Sequence, residues 1–485
     1  MKNTPPNIIV IMTDDQGYGD LSCMGSTDVR TPYIDRLAAS GVRFTQGYSA
    51  SPVCSPSRAS LLTGRYPGNA GVRAILAGHR KATGITPKVP TIATALKTGG
   101  YSTACIGKWH LGLSPEARPN SNGFDYFYGF LSGCIDYFSH IHYYMMGKNA
   151  NPAHDLWEND QEVYANGQYF TDMVTDKSVE FIRSHAGGGS PFFLYVGYNA
   201  PHYPMHAPDK YVDRFKHLPW DRRMMAAMLS GVDDGVGAIT AELERQGMLE
   251  NTIIYYQSDN GPSRESRNWL DGRADLYYGG TAGGLKGHKF SLYEGGIRVP
   301  MLISWPEVIP AGQVISQPVI AADVFPTLMA AAGLSCEGYE LDGCSMLPVV
   351  TRGAGFSDEA DTTHDAHQVH AKSHSASDTP DTTHDMHQGC PNDVPSPNRT
   401  LFWEMNDQTA MRRGRYKLVL NGVLDEWDVP VDVFLSDLDE DMSESVNLAD
   451  VMPELTRELT EEAMAWRSGI EKRWEDEFLA NYTLT

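Results

Sequence analysis

Residues 7–13, Asn-Ile-Ile-Val-Ile-Met-Thr, form an apolar run with no alternation of polar and apolar positions. A run of this length fits a strand buried on both faces, as in a parallel sheet covered by helices on each side. That constrains the whole chain, because each parallel neighbour must be reached by a crossover, usually a helix. The sequence supplies the crossovers. Thr31-Pro32 opens a helix that Gly41 closes, with cap residue, first-turn proline and terminal glycine in favoured places. Helices are predicted over 91–99, 171–185 and 221–246, each followed by a strand, over 101–106, 192–197 and 252–257. The predicted class is α/β: a large mixed, mostly parallel sheet flanked by helices on both faces.

Composition shifts after Thr351. Residues 354–398 are rich in Asp, Ser, Thr and His and hold a near-repeat, Asp-Thr-Thr-His-Asp-Ala-His-Gln at 361–368 and Asp-Thr-Thr-His-Asp-Met-His-Gln at 381–388. The apolar content is too low to build a core, and a flexible surface insert is expected, although the His-x-x-His pairs suit a transition metal. Strand-like segments return at 400–404, 409–413, 416–420 and 431–435, and a helix is expected over 453–474. The division expected is a catalytic α/β domain over 1–350, an insert over 351–398, and a smaller C-terminal antiparallel sheet plus helix over 399–485.

A net charge of -22 over 485 residues argues against a nucleic-acid partner and requires local cations for any anionic substrate. No apolar run approaches the ~20 residues of a membrane-spanning helix. The first strand follows Met1 almost at once, leaving no room for a signal peptide, and a cytoplasmic location is the expectation. Seven irregularly spaced cysteines fit a reducing compartment. Cys336 and Cys344 are the pair that could bridge in an oxidising one. Oligomeric state is not legible.

Two strands end in acidic pairs: the first in Asp14-Asp15, the strand over 252–257 in Ser258-Asp259-Asn260-Gly261. Ligands of open α/β sheets bind beyond the carboxyl ends of strands, so the two ends can converge. Three carboxylates and an amide oxygen make a hard, all-oxygen site suited to Ca²⁺ or Mg²⁺. The strand over 101–106 runs into Gly107-Lys108-Trp109-His110. Residues two apart on an extended segment face one side, so Lys108 and His110 are expected to share a site.

Residues 54–65 read Cys-Ser-Pro-Ser-Arg-Ala-Ser-Leu-Leu-Thr-Gly-Arg, a cysteine at the mouth of a short helix. This run resembles the sulfatase signature C-x-P-S-R-x-x-x-L-T-G, and residues 100–110 resemble the family's second signature, G-Y-x-T-x-x-x-G-K-W-H. Tyr198-Asn199-Ala200-Pro201-His202 and the run from Gly287 to Pro300 are similar to two further family segments, in family order. The resemblance implies a formylglycine-dependent sulfatase of the alkaline phosphatase superfamily. It implies that Cys54 is oxidised to formylglycine by a maturation enzyme, with Asp14, Asp15, Asp259, Asn260 and the modified Cys54 around the metal. It further implies that Arg58 holds the nucleophile, Lys108 and Lys289 bind sulfate, His202 protonates the leaving oxygen and His110 takes a proton. Lys286 competes with Lys289 for its role; Glu294 and Arg298 read as a brace.

The expected reaction is hydrolysis of a sulfate monoester. Residues 132–144, with Asp155-Leu156-Trp157-Glu158, mix aromatics, imidazoles and carboxylates suited to sugars, and the aromatics fit a core equally well. That segment resembles carbohydrate sulfatases acting on sulfated galactose or N-acetylgalactosamine. The rivals are a phosphonate or phosphate ester hydrolase of the same superfamily, and a non-catalytic glycan-binding protein never modified at Cys54.

Overall fold

A computed structural model describes residues 4–143, 152–265, 277–352, 395–425 and 428–481. Both histidine-bearing repeats and Tyr144 lie outside the described residues. The main sheet has, in chain order, β1 (Asn7–Thr13), β2 (Val42–Phe44), β3 (Ser102–Lys108), β4 (Tyr126–Phe130), β5 (Trp157–Glu158), β6 (Gln161–Glu162), β7 (Phe192–Gly197), β8 (Thr252–Ser258), β9 (Met301–Ser304) and β10 (Gln313–Ile315). Across the sheet the order is β10-β2-β9-β8-β1-β7-β3-β4-β5-β6. The five central strands, β8 to β4, run parallel, and antiparallel pairs flank them.

Why the centre is parallel follows from β1. Ile8, Ile9, Val10, Ile11 and Met12 are all fully buried. Each such side chain contributes about 1.5–3 kcal/mol on leaving water, which an edge or one-faced strand would forfeit. Ile8 and Val10 join one core layer, Ile9 and Ile11 the other. Helices α2 (Cys54–Thr63) and α3 (Ile92–Lys97) cover the first layer; α1 (Pro32–Ala39), α4 (Phe170–Ser184) and α5 (Trp220–Arg245) cover the second. The Thr91 hydroxyl accepts from Thr94 N at 3.2 Å and caps α3 as its sequence suggests.

Register aligns the carboxyl ends of the strands. Thr13 pairs with Ser258, Met12 with Gly197, and Gly197 with Gly107. The residues that follow, Asp14, Asp259, Tyr198 and Lys108, therefore emerge on one edge of the sheet. A second sheet of β11 (Thr400–Met405), β12 (Gln408–Arg413), β13 (Tyr416–Gly422) and β14 (Val431–Asp437) is wholly antiparallel. Helix α6 (Pro453–Arg473) lies against it, with Trp466 stacked on Phe402 at 5.0 Å. The bridge between Cys336 and Cys344 considered from sequence is not formed. No described helix is long and apolar enough to cross a membrane.

Candidate active site

Helix α2 begins at Cys54, and all ten of its residues are buried. Anionic groups are favoured at a helix N-terminus, where free N–H groups and the aligned peptide dipoles face outward. Arg58 follows one turn later on the same face. It reaches Asp259 Oδ2 through Nε at 3.1 Å and Nη2 at 2.8 Å, while Nη1 donates to Tyr195 OH at 3.2 Å. The Cys54 Sγ lies 3.4 Å from Asp14 Oδ1.

The strand ends meet as the register requires. Lys108 Nζ donates to Asp14 Oδ2, and Arg58 Nη2 stands 3.7 Å from the same oxygen. Lys289 Nζ lies 2.8 Å from Asp15 Oδ2, and His202 Nε2 lies 3.6 Å from it. Asn260 Nδ2 donates to Asp15 Oδ1 at 2.7 Å, and the Asp15 amide donates to Asp259 Oδ1 at 3.1 Å. One ligand atom each from Asp14, Asp15, Cys54 and His202 fall within 4.8 Å of one another. Asn260 Oδ1 is buried with no hydrogen-bond partner among the described residues. A divalent cation fits this set: converging hard oxygens, with an orphaned amide oxygen that a hard cation would satisfy.

The charges bear on one another strongly. Burial works against ionising Asp14, but Lys108, His202, Arg58 and Lys289 outweigh it and hold its carboxyl well below the usual range. Asp259 goes the other way, to about 7, through burial and the neighbouring Asp14 charge. The Cys54 thiol is raised well above its ordinary value by burial and by Asp14. Burial disfavours the Lys289 ammonium, yet Asp15 more than compensates and keeps it charged. Burial lowers His202 to about 4. Its Nδ1 bonds the Tyr203 carbonyl at 2.7 Å, which fixes a proton there and turns Nε2 toward Asp15.

Every sequence-predicted residue except one sits in this cluster directly. His110 is adjacent to it: burial, Lys108 and Arg58 all push its pKa down. It does not get there by strand alternation. The strand stops at Lys108, and His110 takes a left-handed backbone with φ 54. Its Nε2 bonds Leu76 O at 3.3 Å, its Nδ1 has no partner among the described residues, and only glycine fits at position 133 against its ring. Lys286 is excluded from the site. Its Nζ lies 3.7 Å from the Phe434 ring centroid and bonds Glu444 O at 3.1 Å.

The aromatic and acidic segment expected to face sugars is largely structural. Asp155 accepts from Leu131 N, from Ser132 N at 2.8 Å and from Trp157 Nε1 at 2.7 Å, so its lone pairs are used in holding a loop. His140 is fully buried and bonded to Gln168 O. Tyr137, also fully buried, has a role no motif announced: its hydroxyl lies 2.8 Å from both Asn199 O and His202 O and so clasps the loop that carries His202. Glu294 and Arg298 pair at 3.1 Å and brace the loop as expected.

A buried cysteine at a helix mouth, clustered buried carboxylates and buried cationic side chains make up the site, and the chain has relatives among known proteins. The Sulfatase family model matches residues 6–334. The chain belongs to the sulfatase family. Arylsulfatase J of Mus musculus is 34% identical over 379 residues, covering 77% of this chain and 60% of that protein. N-acetylgalactosamine-6-sulfatase of Mus musculus is 33% identical over 366 residues, covering 72% of this chain and 67% of its own length. The chain thus spans 60% of the length of arylsulfatase J. The crystal structure of Ps i-CgsB in complex with k-i-k-neocarrahexaose superposes with a TM-score of 0.77 at 32% identity, over 96% of this chain and 93% of that one. The sulfatase alignment ends at 334, ahead of β11 to β14 and α6, so those elements are placed by the structural likeness rather than by the family model.

Proposed function

We propose that this sulfatase hydrolyses sulfate monoesters of carbohydrates, with a formylglycine made from Cys54 and a divalent cation, Ca²⁺ or Mg²⁺. The observation that carries the reading is the seat of Cys54: helix N-terminus, Asp14 Oδ1 at 3.4 Å, and Arg58, Lys108 and Lys289 buried around it. As a thiol the residue is a poor nucleophile, because burial and Asp14 disfavour the thiolate. Conversion to an aldehyde hydrate would supply two hydroxyls in the same seat, one to take the sulfuryl group and one to expel it. Asp14, Asp15, Asp259 and Asn260 would hold the cation, which when bound polarises sulfate oxygens and stabilises an ionised hydroxyl.

The remaining work falls to side chains. Lys108 and Lys289 offset the charge of the sulfate, which otherwise repels an anionic nucleophile. Arg58, pinned by Asp259 and Tyr195, fixes the residue at position 54. His202 Nε2 faces the cluster; with Nδ1–H held by the Tyr203 carbonyl, it must first take up a second proton, which the charge of a bound sulfate favours. As an imidazolium it gives the departing alcohol that proton, while His110 takes one when sulfate leaves. The likeness to an N-acetylgalactosamine-6-sulfatase, and to a structure in complex with k-i-k-neocarrahexaose, supports a galactose-type sugar.

Intact mass together with sulfate release tests this. The mature protein should be lighter by about 18 Da, the difference between cysteine and formylglycine, and should release sulfate from sulfated galactose or N-acetylgalactosamine. A protein that keeps the full cysteine mass yet hydrolyses esters would refute the formylglycine. Release of phosphate or phosphonate in preference to sulfate would refute the substrate class.

A further inference from the structure

Asn199 stands two residues beyond the end of β7 and is 1% exposed, with neither Nδ2 nor Oδ1 hydrogen-bonded among the described residues. It is the one described side chain with two buried orphan atoms. Buried amides are rarely left so, because both groups have given up water without replacement. The backbone around it is not loose. Asn199 O accepts from His202 N at 2.9 Å and from Tyr137 OH at 2.8 Å.

The direction of the side chain follows from the strand. Tyr195 points to the α2 face and holds Arg58, while Tyr198 points to the other face and bonds Thr175 of α4 at 2.8 Å. Tyr198 N still donates to Met12 O, so the ladder and its alternation extend to that residue. Asn199 comes next, at the strand end where Asp14 and Lys108 emerge, and the same alternation, carried one residue further, would set it on the Arg58 face. Asp14 N donates to the carbonyl of Ala200, its neighbour, at 3.3 Å.

An amide offers both donors and an acceptor. Sulfate oxygens only accept, and Lys108, Lys289 and Arg58 already give them cationic donors; a carbonyl facing them would repel. A hydroxyl, which accepts and donates at once, matches both orphan atoms. We propose that Asn199 binds a free hydroxyl on the carbon next to the sulfate ester, so that the site selects sulfated sugars with a neighbouring hydroxyl. This rests on the sulfatase reading.

The test is a cycle of two enzymes and two substrates. Wild type and Asn199→Ala are compared on a sulfated galactoside bearing the adjacent hydroxyl and on its deoxy counterpart, with an aryl sulfate as reference for wild type. Wild type should favour the hydroxyl substrate by about a hundredfold in kcat/KM, since a site built to bond a hydroxyl strongly rejects its absence. The Ala variant should be slower on the hydroxyl substrate and lose the preference. Asn199→Leu, closer in volume, should behave alike. Both variants, freed of an orphaned amide, should melt at or above wild type without substrate. Equal slowing on both substrates, with a lowered Tm, would overturn the proposal and mark Asn199 as structural. A wild type that treats both galactosides alike would overturn it while leaving the sulfatase reading intact. Failure to release sulfate from any ester, the aryl sulfate included, would instead bring down the sulfatase reading itself.

Discussion

Lys417 Nζ lies 2.9 Å from Glu294 Oε1 with both side chains fully buried, tying the C-terminal sheet to the segment that carries Lys289. Glu444 Oε1 is 3.2 Å from the same ammonium, and Arg298 and Tyr48 hold the second Glu294 oxygen. Burial opposes the Glu294 charge, but Lys417 and Arg298 keep it ionised, with a pKa near 2. Lys417→Met should leave uncompensated buried carboxylates and cost about 3–5 kcal/mol, as one-sided removal of buried pairs does. Urea unfolding would measure it. Turnover should also fall, because Lys289 is five residues from Glu294; a normal midpoint with normal turnover would show the pair to be dispensable.

Arg58 should not tolerate even lysine. Its guanidinium spans Asp259, through two nitrogens, and the Tyr195 hydroxyl at once, a planar fork that an ammonium cannot copy. Arg58→Lys is expected to lower kcat by about a hundredfold or more, comparable to removing one donor that stabilises charge in a transition state. Steady-state kinetics on the maturated variant, with its mass checked, would reveal whether the loss is catalytic or a failure of conversion at Cys54.

What could be read from the chain was whatever lies along it. The apolar run of β1, the acidic pairs closing β1 and β8, and the one-turn spacing of Cys54 and Arg58 are local, and the fold realises all three. β2, of three residues, has too short a pattern to register. Tyr137, Asn199 and Lys417 act through partners 62, 3 and 123 positions away or through none, and no local rule gives such contacts. His110 lies beside the cluster rather than in it, and reaches that place through a left-handed turn instead of an extended one. Asp155 shows the opposite failure: a residue type suited to sugars is spent on the backbone of Leu131 and Ser132.

Stability should carry a pH signature from Asp233. This carboxylate on α5 is 2% exposed and accepts from Tyr33 N at 3.0 Å and Ile34 N at 2.8 Å, at the start of α1. Burial is the main cause that raises its pKa from 3.8 to about 7, with Asp234 and Asp35 adding to it. The native state then binds the proton more tightly than the unfolded chain. The associated stability is present in full below about 3.8 and is lost as pH rises through about 7, on the order of 4 kcal/mol. Asp233→Asn keeps an acceptor for the two amides and should flatten the dependence of unfolding free energy over that window. An unchanged slope would assign the titration elsewhere.

Tyr137→Phe removes only the hydroxyl that clasps Asn199 O and His202 O. The ring, stacked on Tyr169 at 5.5 Å, should stay in place, and the fold should lose about 1 kcal/mol, the usual net value of a hydrogen bond. If His202 protonates the leaving alcohol, the variant should be slowed more on alkyl or sugar sulfates than on an aryl sulfate with an acidic leaving group. A uniform loss across leaving groups would mean that the clasp supports the fold and not proton delivery.

Metal dependence should appear in stability before it appears in rate. Asp14, Asp15 and Asp259 are buried together, and Asp259 is pushed up to about 7 in part by the Asp14 charge, a stress that a divalent cation relieves. A cation that binds only the folded protein stabilises it by about 2.7 kcal/mol at a hundred times its Kd. Melting temperature should therefore rise with added Ca²⁺ after chelation, and at equal concentration Mg²⁺ should do less if the wider, more flexible coordination of calcium suits this set. Asn260→Ala removes the orphaned amide oxygen while leaving the carboxylates. It should shift the calcium dependence of Tm to roughly tenfold higher concentration, about 1.4 kcal/mol of binding. Asp15→Asn should shift it further and also release Lys289, whose Nζ is 2.8 Å away, so that both metal response and sulfate binding weaken. A melting curve indifferent to Ca²⁺, Mg²⁺ and chelator alike would contradict a cation at these oxygens.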